Sequence, residues 1–262
     1  MFHQPRKRFG QHFLADRHYI ERIVAAVDPQ RGDVVVEIGP GLGALTRPLL
    51  ERVERLHVVE IDRDLAARLS EAYPPERLAV HVADALEFDF ASLPEDLRVV
   101  GNLPYNISTP LLFRLDGFAG RIRDLTFMLQ KEVVDRMVAA PSTADYGRLS
   151  VMLQYRFEMA RLFDVPPGAF RPPPKVDSAV VRLVPRPASD LAACDASRLA
   201  SIVTAAFGQR RKTLRNALSA LLPVAAIELA GVDPGSRGET LSVDDYVRLA
   251  NARSASAADR RG

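Results

Sequence analysis

Asn102-Leu103-Pro104-Tyr105 is the stretch whose residue types, in this order, can do chemistry. The Asn102 amide offers an oxygen that accepts from an exocyclic amino group. Pro104 has no N–H and a fixed φ, so it stiffens the chain and lets the Leu103 carbonyl aim at the same amine. Tyr105 supplies a π-face on which a base taken out of its stack can lie. Two acceptors on one NH₂ turn the nitrogen lone pair toward an electrophile, so a weak amine can attack a methyl group without a strong base. An Asn-x-Pro segment also serves simply to turn a chain, and its surroundings must decide between the two.

The run ahead of it, Arg98-Val99-Val100-Gly101, is short and β-branched, which reads as a buried strand. The motif then lies at the carboxyl end of that strand, where open α/β sheets place their ligands. Further upstream, Val34–Ile38 reads as a strand leading into Gly39-Pro40-Gly41-Leu42-Gly43 and then a helix carrying Leu45, Leu49, Leu50 and Val53. Strand, glycine loop and helix open a doubly wound nucleotide fold, with Gly39 and Gly41 letting backbone approach a ligand. A second strand ends at Glu60, about 20 residues on, where an acid binds ribose hydroxyls. A third ends at Asp84-Ala85, where Asp84 can accept from an adenine amino group.

Gly39-x-Gly41-x-x-Ala44 also fits a dinucleotide loop, so a nicotinamide oxidoreductase competes. That reading requires a pyrophosphate at the helix amino end, beside Glu37, whose charge would repel it. A cofactor with ribose, adenine and a sulfonium but no phosphate, S-adenosylmethionine, suits acids at successive strand ends.

Past the motif, Thr126–Leu129 reads as a strand and Lys131–Ala140 as a helix. Tyr146–Tyr155 fits helix or strand and leans to helix, and Arg161–Val165 with Ser178–Val184 read as a closing strand pair. The proline-rich passage 166–175 is a stiff extended loop. In it, Phe170 is the candidate second aromatic wall opposite Tyr105, and Lys175 can meet a phosphate. Near the start, Arg6, Lys7 and Arg8 with Phe9 and Phe13 form a basic, aromatic arm, and a helix is expected from Asp16 to Pro29. After Pro187 the chain turns to Ala- and Leu-rich amphipathic helix. One stripe is Leu199, Ile202, Val203, Ala206 and Phe207; another is Leu214, Ala217, Leu218, Leu221 and Leu222. Between them Arg210, Arg211, Lys212 and Arg215 carry charge with no acid among them, which reads as a phosphate-contacting surface.

The resulting expectation is an α/β protein: a Rossmann-like methyltransferase sheet over 1–187, a small all-helical RNA-docking domain over 188–253, and a disordered tail over 254–262. The 262 residues carry 35 Lys plus Arg against 33 acids, so any nucleic-acid signal is local rather than global. The single Cys194 excludes a disulfide framework and a Cys-clustered metal site, and no metal is expected. No apolar core segment follows Arg6, Lys7 and Arg8 to make a signal peptide, and no run approaches membrane-spanning length, so the expectation is cytoplasmic. No dimer seam is evident, and a monomer is expected.

Seven segments together resemble the bacterial small-subunit ribosomal RNA adenine N6,N6-dimethyltransferase family, also called the kasugamycin-resistance dimethyladenosine transferases. They are residues 8–14, 37–43, 102–108, 127–133, 146–151, 170–180 and 209–213, in family order. The resemblance implies S-adenosylmethionine contacts at His12, Leu14, Gly39, Glu60, Asp84 and Asn102. It implies as substrate two adjacent adenines, each methylated twice, in the RNA of the immature small ribosomal subunit. It also implies an aromatic wall at a position like that of Phe170. His12 departs from the Asn common there in relatives. The alternatives kept open are a large-subunit rRNA adenine methylase of the antibiotic-resistance type, a DNA adenine methylase, and a mainly non-catalytic ribosome assembly factor.

Overall fold

A computed structural model describes residues 12–192, 194–209 and 211–252. Arg6, Lys7, Arg8, Phe9, Arg210 and the tail lie outside the described residues. The strands are Phe13–Leu14 (β1), Val34–Ile38 (β2), Leu56–Glu60 (β3), Leu78–Val82 (β4), Leu97–Asn102 (β5), Ile122–Gln130 (β6), Phe157–Val165 (β7), Phe170–Arg171 (β8) and Ser178–Pro185 (β9). Seven of them form a sheet in the order β4-β3-β2-β5-β6-β9-β7, while β1 and β8 make a separate antiparallel ribbon. The pairs among β2 to β6 are parallel and β9 runs antiparallel to β6. This is the Rossmann-like α/β sheet, whose continuous Val- and Leu-rich strands are the mark of burial on both faces.

The order has one consequence for the site. The chain builds β2, β3 and β4 outward, then returns to lay β5 on the opposite side of β2. That reversal is a topological switch point, and it brings the loops after β2 and β5 side by side. Gly101 sets how closely. A Cβ there would stand 2.6 Å from the Ile38 carbonyl oxygen, closer than any side chain tolerates.

The other end of β5 is held by charge. Arg98 is buried and donates to Asp124 from Nε and Nη2 (3.0 and 2.7 Å), to Asp33 at 2.8 Å, and to the carbonyls of Val27 and Asp28. Asp124 also accepts from Arg182 on β9 at 2.6 Å. Each buried charge here has partners, as burial requires. Arg98 and Asn102 are four positions apart, about 13 Å of strand, so the ionic anchor and the motif sit at opposite ends of β5.

The helices are Arg17–Val27 (α1), Thr46–Leu50 (α2), Arg63–Ala72 (α3), Ser108–Asp116 (α4), Lys131–Val138 (α5), Arg148–Arg156 (α6), Ala196–Gly208 (α7), Leu214–Ala217 (α8), Val224–Leu229 (α9) and Val243–Asn251 (α10). Asp16 caps α1 by accepting from the His18 N–H at 2.9 Å. Two helices are shorter than their apolar stripes suggest. α2 stops at Leu50 because Arg77 reaches across to take the carbonyls of Leu50 and Val53. The stripe from Leu214 to Leu222 breaks after Ala217, though Leu218 and Leu222 remain buried.

Among the described residues, 12–134 with 158–185 form one compact unit, and 135–157 with those of 186–252 form the other. The boundary expected at 187 therefore misses that 135–157 belong with the helical unit. Tyr146 and Val151 share one apolar core with Leu199, Ile202, Val203 and Leu249, so the α6 face reads as part of a bundle rather than a cover for the sheet. No helix among the described residues is long and apolar enough to cross a membrane.

Gly101→Ala is expected to lower unfolding stability by about 1–3 kcal/mol, measured by denaturant midpoint. An unchanged midpoint would mean that the ends of β2 and β5 have slack.

Candidate functional site

Four strand ends meet at one cleft of about 250 Å³ in the first unit. Its lining includes Gly39 and Gly41 after β2, Glu60 and Ile61 after β3, Asp84 and Ala85 after β4, and Asn102 through Ile107 after β5, with His12, Phe13 and Leu14 from the arm. All the residues expected to hold cofactor are in this set. Of the five expected to do the chemistry, Asn102, Leu103, Pro104 and Tyr105 line it and Phe170 does not.

The glycine loop answers the oxidoreductase alternative. A dinucleotide loop offers free N–H groups to pyrophosphate. Here the Gly39 N–H donates to the Val59 carbonyl (2.9 Å), Gly43 N–H to the Pro40 carbonyl (2.9 Å), and Gly41 N–H to Glu60 Oε2 (3.1 Å). The loop is closed on itself and on an acid of its own chain. Gly41 has φ +58°, and a Cβ on it would come within 3.1 Å of the Phe13 ring.

Glu60 is buried, and its second oxygen accepts from the Asp62 N–H at 2.8 Å. Burial pushes its carboxyl upward, with these backbone hydrogen bonds opposing. Each oxygen has a lone pair left for a ribose hydroxyl. Asp84 Oδ1 accepts from the Leu86 N–H at 2.9 Å, which holds the side chain against the loop and leaves Oδ2 for an amino group.

Glu37 differs from the sequence expectation in its charge. Only 2% of it is exposed, and burial pushes its carboxyl up to about 8; the Thr46 hydrogen bond (2.6 Å) opposes this and the charge of Glu60 adds to it. Burial thus favours the protonated form at neutral pH. The case against a pyrophosphate therefore rests on the occupied glycine N–H groups rather than on a carboxylate at Glu37.

At the motif, Asn102 Nδ2 donates to the His12 carbonyl at 3.0 Å. A main-chain carbonyl only accepts, so this contact fixes which way the amide faces and leaves Oδ1 as the acceptor. The Leu103 N–H continues the ladder to the Met128 carbonyl at 3.1 Å, and the Ile107 N–H turns back to Pro104. The Tyr105 hydroxyl pairs with Ser178 Oγ at 2.9 Å, and burial raises its pKa, so it keeps its proton and holds its ring in place. No group at the motif is a strong base.

Phe170 is 1% exposed and packs into the core with Leu14, Val165, Ala169 and Val180. It pairs across the ribbon with Leu14. The expectation that it walls the cleft is corrected: an apolar ring in a paired strand gains more from burial than from facing an open slot. Lys175 is exposed on the loop beyond.

In the second unit Arg211, Lys212 and Arg215 are exposed. The segment 234–237 pairs beside them: Leu214 N–H donates to Ser236, Arg215 N–H to Pro234, and Thr213 bridges Arg237. Arg237, exposed and adjacent, joins the basic surface. Sequence reading missed it because the pairing spans more than twenty positions. Among the described residues no cluster of His, Cys, Asp or Glu could hold a metal.

Residues 2–254 match the family model described as ribosomal RNA adenine dimethylase. The chain is 66% identical over 249 residues to the ribosomal RNA small subunit methyltransferase A of Aromatoleum aromaticum, covering 95% of this chain and 94% of that one. It is 65% identical to the protein of the same name in Thiobacillus denitrificans, covering 93% and 96%. Among solved structures, it is similar to a dimethyladenosine transferase from Plasmodium falciparum, with TM-score 0.79, 26% identity, and 91% and 96% of the two chains covered. It is also similar to the 23S rRNA methyltransferase ErmE, with TM-score 0.71, 31% identity, and 92% and 98% covered.

Glu37 gives a pH signature. Its carboxyl titrates near 4.5 when unfolded and near 8 when folded. The native state thus binds the extra proton, and stability is lost as pH rises between these values. Glu37→Gln should gain on the wild type as pH goes from 5 to 9 in thermal melts of the ligand-free protein. Parallel curves would mean that Glu37 is ionised in the fold.

Proposed function

The chain belongs to the ribosomal RNA adenine dimethylase family, and we propose how its cleft and basic surface perform that family's reaction, the S-adenosylmethionine-dependent dimethylation of adenine N6 in small-subunit ribosomal RNA. The large-subunit alternative is not favoured, since identity is 66% to a small-subunit enzyme against 31% to a 23S one. Ribosomal RNA is the substrate. We take two adjacent adenines of the immature subunit as the target and a metal-free monomer as the working form.

In the cleft, Glu60 would accept from the ribose hydroxyls of S-adenosylmethionine and Asp84 from its adenine amino group. Gly39, Gly41, Ala85, the His12 main chain and Leu14 would form the surrounding surface. The bound cofactor supplies an electrophilic methyl on a sulfonium. Asn102 Oδ1 and the Leu103 carbonyl accept the two N6 hydrogens of an extruded adenine lying on Tyr105. This aims the nitrogen lone pair at the methyl carbon. Attack on that methyl would form the N–C bond while the C–S bond broke, leaving the electron pair on sulfur. The methylated nitrogen is a strong acid and loses its proton to water, so no side-chain base is needed. Preorganised acceptors and proximity supply the rate.

The observation that carries this reading is the amide of Asn102, which lines the cleft and donates from Nδ2 to the His12 carbonyl, leaving Oδ1 as its acceptor. Asn102→Ala should lower kcat by roughly 10²–10³-fold, read by mass spectrometry of N6-methylated adenine in small-subunit RNA incubated with labelled donor. Wild-type label confined to large-subunit RNA would reject the substrate.

Arg211, Lys212, Arg215 and Arg237 would meet RNA phosphates, with Lys175 and the basic arm as further contacts. Reversing Arg211, Lys212 and Arg237 to Glu should weaken RNA binding for all sequences. The slope of log affinity against log salt should fall by roughly one per lost contact. An unchanged slope would mean that these cations only face solvent.

A further inference from the structure

We propose that Arg22 on α1 is a phosphate contact for RNA in the first unit, held ready by the rings of Phe163 and Tyr19. This rests on ribosomal RNA being the substrate. It adds a contact outside the cleft and outside the basic surface of the second unit.

Arg22 is exposed, and its guanidinium carbon lies 3.9 Å from the centre of the Phe163 ring on β7 and 5.9 Å from that of Tyr19. Tyr19 in turn meets the His18 ring edge-on, with centroids 5.2 Å apart. Tyr19 and Phe163 are half-buried and pack against the core of the first unit, so the cation stands on rings that are themselves fixed. A cation set among aromatic rings is a combination that nucleic-acid surfaces use.

Arg22 stands apart because no acid claims it. Among the described residues no oxygen accepts from its N–H groups. The acids next to the pair in sequence are drawn off. Glu21 accepts from Arg17 at 2.7 Å, and Asp164 accepts from Arg161 Nε at 3.0 Å and Nη2 at 2.6 Å. Arg114 also stands over a ring, that of Phe118, but donates to the Phe88 carbonyl. A guanidinium that is ordered yet unpaired keeps its fork of donors for a phosphate and loses little freedom when one binds.

The occupant is RNA backbone because of where Arg22 stands in the chain. It follows by ten positions His12, which lines the cleft. A strand that delivers its base there must lay its flanking phosphates on the surface around it. An arginine that only packed α1 against β7 would matter to the melting temperature and not to RNA.

The test compares Arg22→Gln and Phe163→Leu with the wild type. Binding is measured over a range of salt on a protein-free small-subunit RNA transcript and on small subunits lacking the modification. Thermal melts and S-adenosylhomocysteine calorimetry are run on the same proteins. In Arg22→Gln the slope of log affinity against log salt should fall by roughly one on both substrates. Phe163→Leu keeps the charge and frees the guanidinium, so the slope should hold while affinity drops roughly two- to tenfold. S-adenosylhomocysteine affinity should match the wild type in both. An unchanged slope in Arg22→Gln, whatever its melting temperature, would overturn the proposal and leave the ring contact as packing. Wild-type affinity in Phe163→Leu would overturn it too. So would a loss seen on subunits but not on bare RNA, which would make an acidic protein surface the occupant. A wild type that binds no small-subunit RNA would sink the underlying reading, and that result shows before any variant is compared.

Discussion

The close passage of Gly101 against the Ile38 carbonyl governs the arrangement of this molecule. At 2.6 Å there is no room for a β-carbon, so the ends of β2 and β5 are drawn together at the place where the strand order reverses. The glycine loop and Asn102 follow from those two ends and therefore share one cleft. The donor of a methyl group and the amine that takes it must lie within bonding reach, and the strand order supplies that reach before any side chain acts.

The cleft is arranged so that backbone donors are consumed internally and acceptors are left over. Three glycine N–H groups are satisfied within the chain, one of them by Glu60, while the cleft is lined by Glu60, Asp84, Asn102 and Leu103, all of which carry acceptor oxygens. Such a surface suits hydroxyls, amines and a cation, and it is poor for phosphate. Glu37 fits the same pattern. Burial favours its protonated form, which adds no fixed charge to the cleft, and a nearby cation would favour its ionisation.

His12, just before β1, links the parts of the cleft. The β1–β8 ribbon, packed by Leu14 and Phe170, ends at His12, which contacts the proline-rich loop through Nδ1, Asn102 through its carbonyl, and Tyr105 through its ring. Burial of Phe170 is thus part of what holds His12, although the ring itself is not among the residues lining the cleft. At the opposite end of β5, the Arg98 cluster ties β5, β6 and β9 to the end of α1, so the strand carrying the motif is anchored at both ends.

The sequence by itself determined the strand ends and what stands on them. β-branched runs, glycines, the acids Glu60 and Asp84 and the amide Asn102 are local signals, since each strand needs only its own residues to be recognised. It also carried the family, because seven separated segments in fixed order rarely coincide. Only the tertiary structure decided the facing of the Asn102 amide, set by a carbonyl 90 residues away. It also decided that Phe170 is core, that Arg237 stands beside Arg215, and that residues 135–157 belong to the helical unit. Periodicity shows that a residue has an apolar face or a charge, but a partner is fixed by chain geometry, and these partners come from distant parts of the chain.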